Sequence, residues 1–528
     1  MINSNYYLID LMKKIKKTMM YISALLMMSC GGIEHLKGIN YYFDSVSGKD
    51  DNSGISAETP FRSLKQINVL KIKPGDSILL KSGSVFTEKL YFTGKGTDKK
   101  PIVIGKYGGS KLPHIKGNGT ETEMLHIYNS EHLIVNDIEI SNKGEKAYPN
   151  ITGLLVELYN FGTAKNIKVE NLYIHDVYGS LLKGDGYNHK DVGAGQAMLF
   201  KNLRGGEKDS ISSNFDGLIV QNCKIKNCQR NGIMMWGNWV RKYWNPSLNV
   251  IIRHNIIDGV PGDGIVPVGC LSPLVEYNVM KNGVDSLPST EACDGIWPWS
   301  CDNAVIQYNV VSDHKSKVDG YGFDSDYNCN NSLFQYNLSY NNDGGFLLLC
   351  NSGGWPVEYS IGNKNTIVKY NVSINDGIRS IIVDPKKGYF SPIIHITGST
   401  QNSRIEHNFF YIPKKKSLLT DKRLICSDDW KGYSDSTFFS NNYIYSEDPV
   451  SAFEGSKSTN NFFENNQFVG LLDSVPDGFT KYNGTFNKQM WYDSLKPEFQ
   501  KLIVFLEDKK VELNGKKVSV LNLLGWEK

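Results

Sequence analysis

A run of alternating apolar and polar residues that ends in Asn recurs along this chain. Clear copies are Leu218-Ile-Val-Gln-Asn222, Val305-Ile-Gln-Tyr-Asn309 and Ile367-Val-Lys-Tyr-Asn371. The Asn residues that end the copies are Asn136, Asn171, Asn222, Asn255, Asn278, Asn309, Asn337, Asn371, Asn408, Asn442 and Asn466. Units of 23 to 51 residues are too small to bury a core alone, so each must pack against its neighbours. The repeat therefore restricts the chain to a solenoid.

Strands with a period of two residues predict β-structure within each unit. The handedness of parallel crossovers favours a right-handed solenoid. We therefore predict an all-β protein, a single-stranded right-handed parallel β-helix with an N-terminal cap and a short C-terminal helical cap. A β-sandwich would need hairpin signals, which the sequence does not show. Asn suits the turns because it tolerates the left-handed region and its amide can bond to the Asn of the next coil.

Cysteines and tyrosines support one register. Cys270, Cys301 and Cys329 each lie eight residues before their Asn, so they are expected to stack about 4.8 Å apart along the solenoid. The tyrosines expected to stack likewise are Tyr277, Tyr308, Tyr336 and Tyr370. Inward packing of free thiols is the favoured interpretation of the cysteines. A disulfide between two of the three, or between Cys223 and Cys228, is the alternative in an oxidising compartment.

The charge balance excludes some classes of function. The chain of 528 residues has a net charge of +3, and its first 29 residues hold four Lys and one Asp. The remainder is therefore neutral, which argues against nucleic-acid or membrane-surface binding driven by bulk charge. The sequence also lacks an apolar run of 18 residues, so no transmembrane span is expected.

The N-terminus has the features of an export signal. Basic residues 13–17 precede a short apolar segment at 18–28, and Ser29-Cys30-Gly31 follows. A small residue before Cys at this place resembles a bacterial lipobox. This resemblance implies a signal peptide at 1–29, lipidation of Cys30, a tether at 30–39 and an exported protein anchored to the cell envelope, on its periplasmic or outer face. An ordinary signal peptide with a chance Cys is the alternative.

Residues 40–115 contain Tyr41-Tyr-Phe-Asp44, Thr59-Pro-Phe61 and Pro74-Gly-Asp76 in order. This succession resembles the N-terminal cap of secreted bacterial β-helix proteins of the pectate-lyase-like class. The resemblance implies a cap with the first coils at 40–120, the β-helix at 121–480 and a C-terminal cap at 481–528. Within that last cap, residues 497–506 predict a short amphipathic helix that closes the last coil. The class contains lyases, hydrolases, esterases and binding proteins.

Asp324 and Asp326 are the strongest candidates for catalysis. Strand alternation around Phe323 places both carboxylates on one outer face. We expect a separation suited to the water of an inverting glycoside hydrolase, and mutual repulsion that leaves one an acid and the other a base. Asp294 would assist them. Polygalacturonase-like hydrolases, which this region resembles, keep clustered Asp residues on this face.

The same face is expected to bind sugar. Aligning the strands that precede each turn places one set of side chains on the outer face: Met234, Val266, Trp297, Leu347 and Arg379. Two residues further along their strands, Trp236, Val268 and Trp299 also point outward. Exposed Trp rings stack on sugar C–H faces, so Trp236, Trp297 and Trp299 become subsites, with Asp263 beside them and Arg379 on an anionic or hydroxyl group. Packing under a long loop is the alternative for the Trp residues. An insertion at 179–213 would roof the groove, with His189 as an acid or base; His395 is expected to be a hydrogen-bonded strand residue.

Two other classes of function remain open. A polysaccharide lyase acting on a uronate glycan would hold Ca²⁺ on Asp263, Asp294, Asp324 and Asp326, although no Lys occupies the aligned outward positions. A non-catalytic glycan-binding solenoid would keep the Trp groove without needing the Asp pair. The favoured hydrolase needs no cofactor or metal, and its partners would be a polysaccharide or oligosaccharide and, through the lipid, a membrane.

Overall fold

Short parallel strands stack along the chain into three sheets. The structure, a computed structural model, describes residues 38–181, 190, 193–202, 211–237, 239–383, 388–414, 421–455, 457–474, 476–482 and 497–526. The described residues from Asn40 onward belong to one compact unit. The expected signal peptide, the Cys30 lipidation site and nearly all of the tether lie outside the described residues.

The first sheet runs along the solenoid as one continuous parallel ladder. Its strands are Asn40–Phe43, Ser77–Lys81, Ile102–Tyr107, Leu133–Asn136, Thr163–Glu170, Asn214–Gln221, Ile251–Arg253, Leu274–Glu276, Val305–Gln307, Leu333–Gln335, Ile367–Lys369, Arg404–Glu406, Phe438–Ser440 and Phe462–Glu464. The short strands Ser247–Leu248 and Cys270–Leu271 pair beside it.

The second sheet carries the candidate site. Its strands are Leu90–Phe92, Glu123–Tyr128, Ile151–Leu158, Ala194–Asn202, Ile233–Trp236, Ile265–Val266, Tyr321–Ser325, Gly345–Asn351, Ile394–Gly398 and Arg423–Asp428. The coil that contains Ile296 has no strand of its own in this sheet. Parallel bridges from Ile265 to Ile296 and from Ile296 to Phe323 continue the sheet through that coil.

The third sheet completes each coil. Its strands are Val85–Phe86, His114–Gly117, Glu139–Asn142, Tyr173–Val177, Lys224–Lys226, Ile256–Asp258, Val279–Lys281, Val310–Ser312, Leu338–Tyr340, Val372–Ile374, Phe409–Ile412, Tyr443–Glu454, Asn466–Ser474 and Phe479–Tyr482. A separate strand pair is Asn363–Lys364 with Thr400–Gln401. The 3-10 helices are Leu64–Val69, Arg241–Tyr243 and Pro497–Phe499.

The interior is filled by columns of buried side chains from the three sheets, most of them apolar, although Ser339 and Ser373 take two inward positions of the third sheet. Ile306, Phe334 and Val368 stack in register on the first sheet and are at most 1% exposed. Burial of such a column along the whole solenoid supplies the main stabilising free energy. The predicted parallel β-helix is confirmed.

The Asn ladder is confirmed over its last eight members, from Asn255 to Asn466. Each side chain donates to the Oδ1 of the next, as from Asn309 to Asn337 at 3.1 Å. The expected left-handed conformation belongs instead to the preceding residue, such as Tyr308 with φ of 54°. In earlier coils, apolar residues occupy the ladder position. Cys223 is an example, because its amide donates to the side chain of the first ladder member, Asn255. Asn171 and Asn222 therefore precede the ladder position by one residue.

The aromatic and cysteine stacks are also present. Rings of Tyr277, Tyr308, Tyr336 and Tyr370 stack with centroids 4.9 to 5.5 Å apart. Cys270, Cys301 and Cys329 are buried free thiols within the core. Cys223 and Cys228 are likewise free, so neither disulfide alternative is formed.

The C-terminal segment covers a side of the solenoid. Helix α1 (Gln500–Leu506) is followed by the antiparallel strands Lys510–Leu513 and Lys516–Ser519 and by helix α2 (Val520–Leu524). Phe505 packs on Tyr308, and Trp526 packs on Phe409. The prediction that this helix closes the last coil was therefore wrong, because it shields the outward apolar column of the third sheet. Among the described residues, no helix is long and apolar enough to cross a membrane.

Candidate active site

Asp324 is held outward by the register of the second sheet. Phe323 faces the core between Ile296 and Leu347, so the next residue points away from it. Asp324 pairs in register with Leu348, which pairs with His395. The expectation that Leu347 faces outward was wrong, because pairing aligns Leu347, not Phe346, with Phe323. The outward position on the next coil is then His395 and not Arg379.

Glycines let the coils at this place approach closely. A Cβ on Gly295 would lie 2.3 Å from the Gly322 carbonyl oxygen. The Gly295 amide donates to the Tyr321 carbonyl at 2.9 Å in the same stack. The Asp-Gly-Ile motif therefore fixes Asp294 at the edge of the site through close backbone contact.

Asp324 and Asp326 converge on one thiol. Oxygen atoms of both carboxylates and the Cys350 sulfur lie within 4.8 Å of one another. The sulfur is 3.0 Å from Asp326 Oδ1 and 3.9 Å from Asp324 Oδ1. Inverting hydrolases separate their carboxyl groups by about 6.5–9.5 Å to admit water, whereas retaining enzymes use about 5–5.5 Å. The nearest oxygens of the pair lie within 4.8 Å of each other, because both side chains turn toward Cys350.

The surroundings raise the pKa of both carboxyls. Burial, followed by repulsion from Asp326, holds the pKa of Asp324 well above its ordinary value. Burial also raises the pKa of Asp326 to about 6, while its hydrogen bond from Cys350 opposes this shift. With a pKa of about 6, Asp326 is mostly ionised at neutral pH, and the raised pKa of Asp324 favours its protonated form.

Two more carboxyls border the pair. Asp294 is 4% exposed and accepts a hydrogen bond from the Tyr321 amide at 2.6 Å. Burial and then repulsion from Asp319 raise the pKa of Asp294 well above its usual range. Burial raises the pKa of Asp319 too, against the charge of His395. Sequence reasoning missed Asp319, which lies outside the aligned strand positions.

Asp263 is fully buried in an ion-paired network. Its oxygens lie 2.8 and 2.9 Å from Lys190 Nζ and accept from Trp297 Nε1 at 3.1 Å. Arg230 contacts Asp263 at 3.3 Å and Glu291 at 3.2 Å. Burial alone would raise the pKa of Asp263, but the two cations hold it below its ordinary value. The structure therefore places this expected substrate-binding residue beneath the site, where it orients Trp297 and Lys190.

The site opens into a cavity of about 430 Å³. Acidic and aromatic side chains dominate its wall. The lining includes Lys190, Asp294, Trp297, Trp299, Asp319, Asp324, Asp326, Tyr327, Leu348, Cys350, His395, Thr397, Asp428, Asp429 and Trp430. Such a pocket with convergent polar groups and perturbed carboxyls suits a small polar ligand.

The expected Trp groove is mostly covered. Trp297 and Trp299 line the cavity at 2% and 7% exposed, and their rings stack 5.9 Å apart. Trp236 is 5% exposed and packs edge-on against Trp299 at 5.2 Å, behind the lining residues. Packing therefore accounts for Trp236, while Trp297 and Trp299 present ring surface to the cavity.

Arg379 lies apart from the cavity lining and is 2% exposed. Its guanidinium donates to the carbonyl oxygens of Ser316, Asp319 and Phe390. These bonds tie together the turns that carry Asp319 and the following coil. The expected contact of Arg379 with a substrate group is thus replaced by contacts with backbone carbonyls.

His395 belongs to the cavity wall, where its Nε2 lies 2.9 Å from Asp428 Oδ1. Its buried Nδ1 has no hydrogen-bond partner among the described residues. The prediction of a hydrogen-bonded strand residue is correct, but the residue also faces the cavity. Cys350 and Lys190 were not predicted, since neither the thiol nor the insertion residue follows a recognisable pattern. The insertion residues Lys183, Asp185, His189 and Asp191 lie outside the described residues.

Comparisons with known proteins agree with this architecture. A family model described as right-handed beta helix region matches residues 200–365. A lacto-N-biosidase from Bifidobacterium longum subsp. longum is 26% identical in an alignment that covers 83% of this chain and 31% of that protein. The chain thus spans less than a third of the curated relative it matches.

Solved structures of a GH136 lacto-N-biosidase from Eubacterium ramulus are similar in fold. The selenomethionine form has a TM-score of 0.57 at 23% identity, covering 82% of this chain and 68% of that one. The native form has a TM-score of 0.53 at 23% identity, covering 83% and 68%. Together with the parallel ladders, these likenesses establish that the chain has the right-handed parallel β-helix fold.

Proposed function

We propose that this protein is a glycoside hydrolase that cleaves an oligosaccharide in the Asp324–Asp326 cavity. The observation that carries the proposal is the close pair of carboxyls, Asp324 buried and Asp326 half-buried, on a cavity wall that also contains Trp297 and Trp299. Glycosidic hydrolysis needs one protonated and one ionised carboxyl flanking the scissile bond. The similarity to lacto-N-biosidases supports the same class of reaction and makes oligosaccharides that contain lacto-N-biose the first substrates to test.

The electrostatics assign a role to each carboxyl. Burial and the charge of Asp326 raise the pKa of Asp324, which favours its protonated form, so Asp324 is the proposed general acid. Asp326 is the proposed nucleophile, since a pKa of about 6 leaves it mostly ionised at pH 7. One oxygen of each carboxyl lies within 4.8 Å of the other, which is nearer to the spacing of retaining enzymes, so we propose retention of anomeric configuration and a covalent glycosyl intermediate on Asp326.

Other cavity residues would bind the sugar. Trp297 and Trp299 offer ring surface for C–H stacking, and the Nδ1 of His395 would hydrogen bond to a hydroxyl. Asp428 fixes the orientation of the His395 ring. Asp294 and Asp319 would add hydrogen bonds to hydroxyls, with Asp319 as a second candidate acid.

A lyase is less well supported by the geometry. Lys190 lines the cavity, but both Asp263 oxygens engage its Nζ, so the side chain is committed to this ion pair. Asp263 in turn is committed to Lys190, Arg230 and Trp297, which removes it from the four-carboxylate Ca²⁺ set. The hydrolase that we propose draws on the two carboxyls alone, without a cofactor.

The test is a digest of neutral and uronate-containing glycans, including lacto-N-biose oligosaccharides, with and without EDTA. Reducing ends released without unsaturated-uronate absorbance support the hydrolase, and early NMR spectra of the product should show the anomer of the substrate. Unsaturated-uronate absorbance that EDTA suppresses would contradict the hydrolase and indicate a Ca²⁺-dependent lyase. Glycan binding measured by calorimetry without any cleavage would contradict the hydrolase and indicate a glycan-binding protein.

We further propose that the protein is exported and lipidated at Cys30. The supporting observation is the Ser29-Cys30-Gly31 sequence after a basic and an apolar segment. Wild-type protein expressed in a bacterium should then fractionate with membranes, and Cys30→Ser protein should not. Equal fractionation of the two would contradict lipidation.

A further inference from the structure

A second cluster of chemically reactive side chains lies on the third sheet, near the start of the solenoid. His114, Glu139 and His175 come from the three consecutive strands His114–Gly117, Glu139–Asn142 and Tyr173–Val177. Their side chains are 16%, 28% and 16% exposed. One donor atom from each lies within 4.8 Å of the other two.

The distances suit ligands of one ion. His175 Nε2 is 3.0 Å from Glu139 Oε1, and His114 Nδ1 is 3.7 Å from the same oxygen. Ligands placed 2.0–2.1 Å from a tetrahedral Zn²⁺ are about 3.3 Å apart. Small side-chain rotations would therefore bring all three atoms onto a single metal.

Each imidazole has an outer partner on the nitrogen that faces away from Glu139. His175 Nδ1 lies 2.8 Å from Asp176 Oδ2, and His114 Nε2 lies 2.8 Å from Ser141 Oγ. Asp176 reaches this place because the strand is irregular there and its φ is 49°. Partners of this kind fix the tautomer and direct the unprotonated nitrogen toward a metal.

We propose that His114, Glu139 and His175 form a binding site for a divalent transition metal of the Zn²⁺ type, with water in the fourth position. Imidazole and carboxylate ligands in a three-residue set suit such an ion. The ion would link three consecutive coils of the solenoid. A His175 ring hydrogen-bonded between Glu139 and Asp176 without metal is the alternative that the experiment must exclude.

The test uses the full-length protein without a purification tag, stripped of metal and titrated with Co²⁺. Visible d–d absorption should saturate at one ion per chain, and Zn²⁺ should displace the Co²⁺. His175→Asn and Glu139→Gln should each weaken binding at least about 100-fold, and Asp176→Asn about 10- to 100-fold. Far-UV circular dichroism checks folding; if His175→Asn does not fold, Asp176→Asn still decides.

Two controls separate this site from other histidines and carboxylates. His126 lies 3.2 Å from both Glu123 and Glu157 on the second sheet, as a single ring between two carboxylates. His126→Asn should leave Co²⁺ binding unchanged, as should Cys350→Ser, which alters the active-site cluster. Absence of saturable binding, or binding retained in His175→Asn, would overturn the proposal.

Discussion

The thiol of Cys350 donates a hydrogen bond to Asp326 across adjacent coils, with its sulfur 3.0 Å from Oδ1. Asp324 pairs in register with Leu348. Asp326 and Cys350 each lie two residues further along the chain, so parallel stacking brings these two outward side chains together. The bond favours the ionised form of Asp326 and opposes the effect of burial on its pKa. Cys350 therefore tunes the proposed nucleophile.

Replacement of Cys350 by Ala should shift the acidic limb of the activity profile. Loss of the donor raises the pKa of Asp326, so the acidic limb of the plot of kcat/KM against pH should move to higher pH by about one unit. Cys426→Ala, which alters a buried thiol outside the cavity lining, is the control. An unchanged limb in Cys350→Ala would refute the tuning role.

Asp326→Asn should stabilise the fold at alkaline pH. The pKa of Asp326 in the fold, about 6, lies above its ordinary value of 3.8, so ionisation destabilises the native state. Its stabilising contribution is complete below pH 3.8 and is lost as pH rises through 6. The variant should therefore gain about 1–3 kcal/mol over wild type at pH 8 and lose this gain near pH 4. Urea denaturation at both pH values measures it, and a pH-independent difference would contradict the assignment.

Asp263→Asn should destabilise the protein strongly. The substitution removes the buried carboxylate that Lys190 and Arg230 share, although Arg230 keeps its pair with Glu291, at a cost of about 3–5 kcal/mol. Asp258 forms a more exposed pair with Lys281 at 3.4 Å, so Asp258→Asn should cost less than about 1 kcal/mol. Equal losses in urea denaturation would show that the buried network contributes no more than a surface pair.

Asn309→Ala should reveal the energetic value of the Asn ladder. Asn309 donates to Asn337 Oδ1 and to the Val275 carbonyl, and it accepts from the amide and side chain of Asn278. Buried groups left without partners cost about 1–3 kcal/mol each, so we expect a loss of at least about 3 kcal/mol. Gln335→Ala, which removes one half-buried bond to Gln307, should cost about 1 kcal/mol in the same thermal assay. A ladder variant no less stable than this control would refute the expectation.

The repeat in the sequence was sufficient to predict the solenoid, because every coil must present the same apolar face. It did not determine the position of each side chain to one residue. The Asn alignment was displaced at Asn171 and Asn222, where apolar residues replace the ladder Asn. The sequence alignment likewise turned Leu347 outward, although pairing matches Leu347 with the core residue Phe323.

The candidate site was predicted in part. Asp324, Asp326, Asp294, Trp297 and Trp299 share one cavity because they follow consecutive coils of one sheet. Asp319 reaches the cavity from a turn, and Lys190 reaches it from the insertion. His395 lies on a strand that the sequence alignment placed wrongly. Sequence periodicity carries no information on how a turn or an insertion folds back over the sheet.

The most direct test of the account is the rate of reducing-end release by wild type, Asp324→Asn and Asp326→Asn on a cleaved oligosaccharide. Loss of either carboxyl from an acid–nucleophile pair should lower kcat at least about 10³-fold, with an unchanged far-UV circular dichroism spectrum. Asp319→Asn, measured beside them, tests the second candidate acid. Retention of more than a tenth of the wild-type rate by folded Asp326→Asn protein would contradict the central claim.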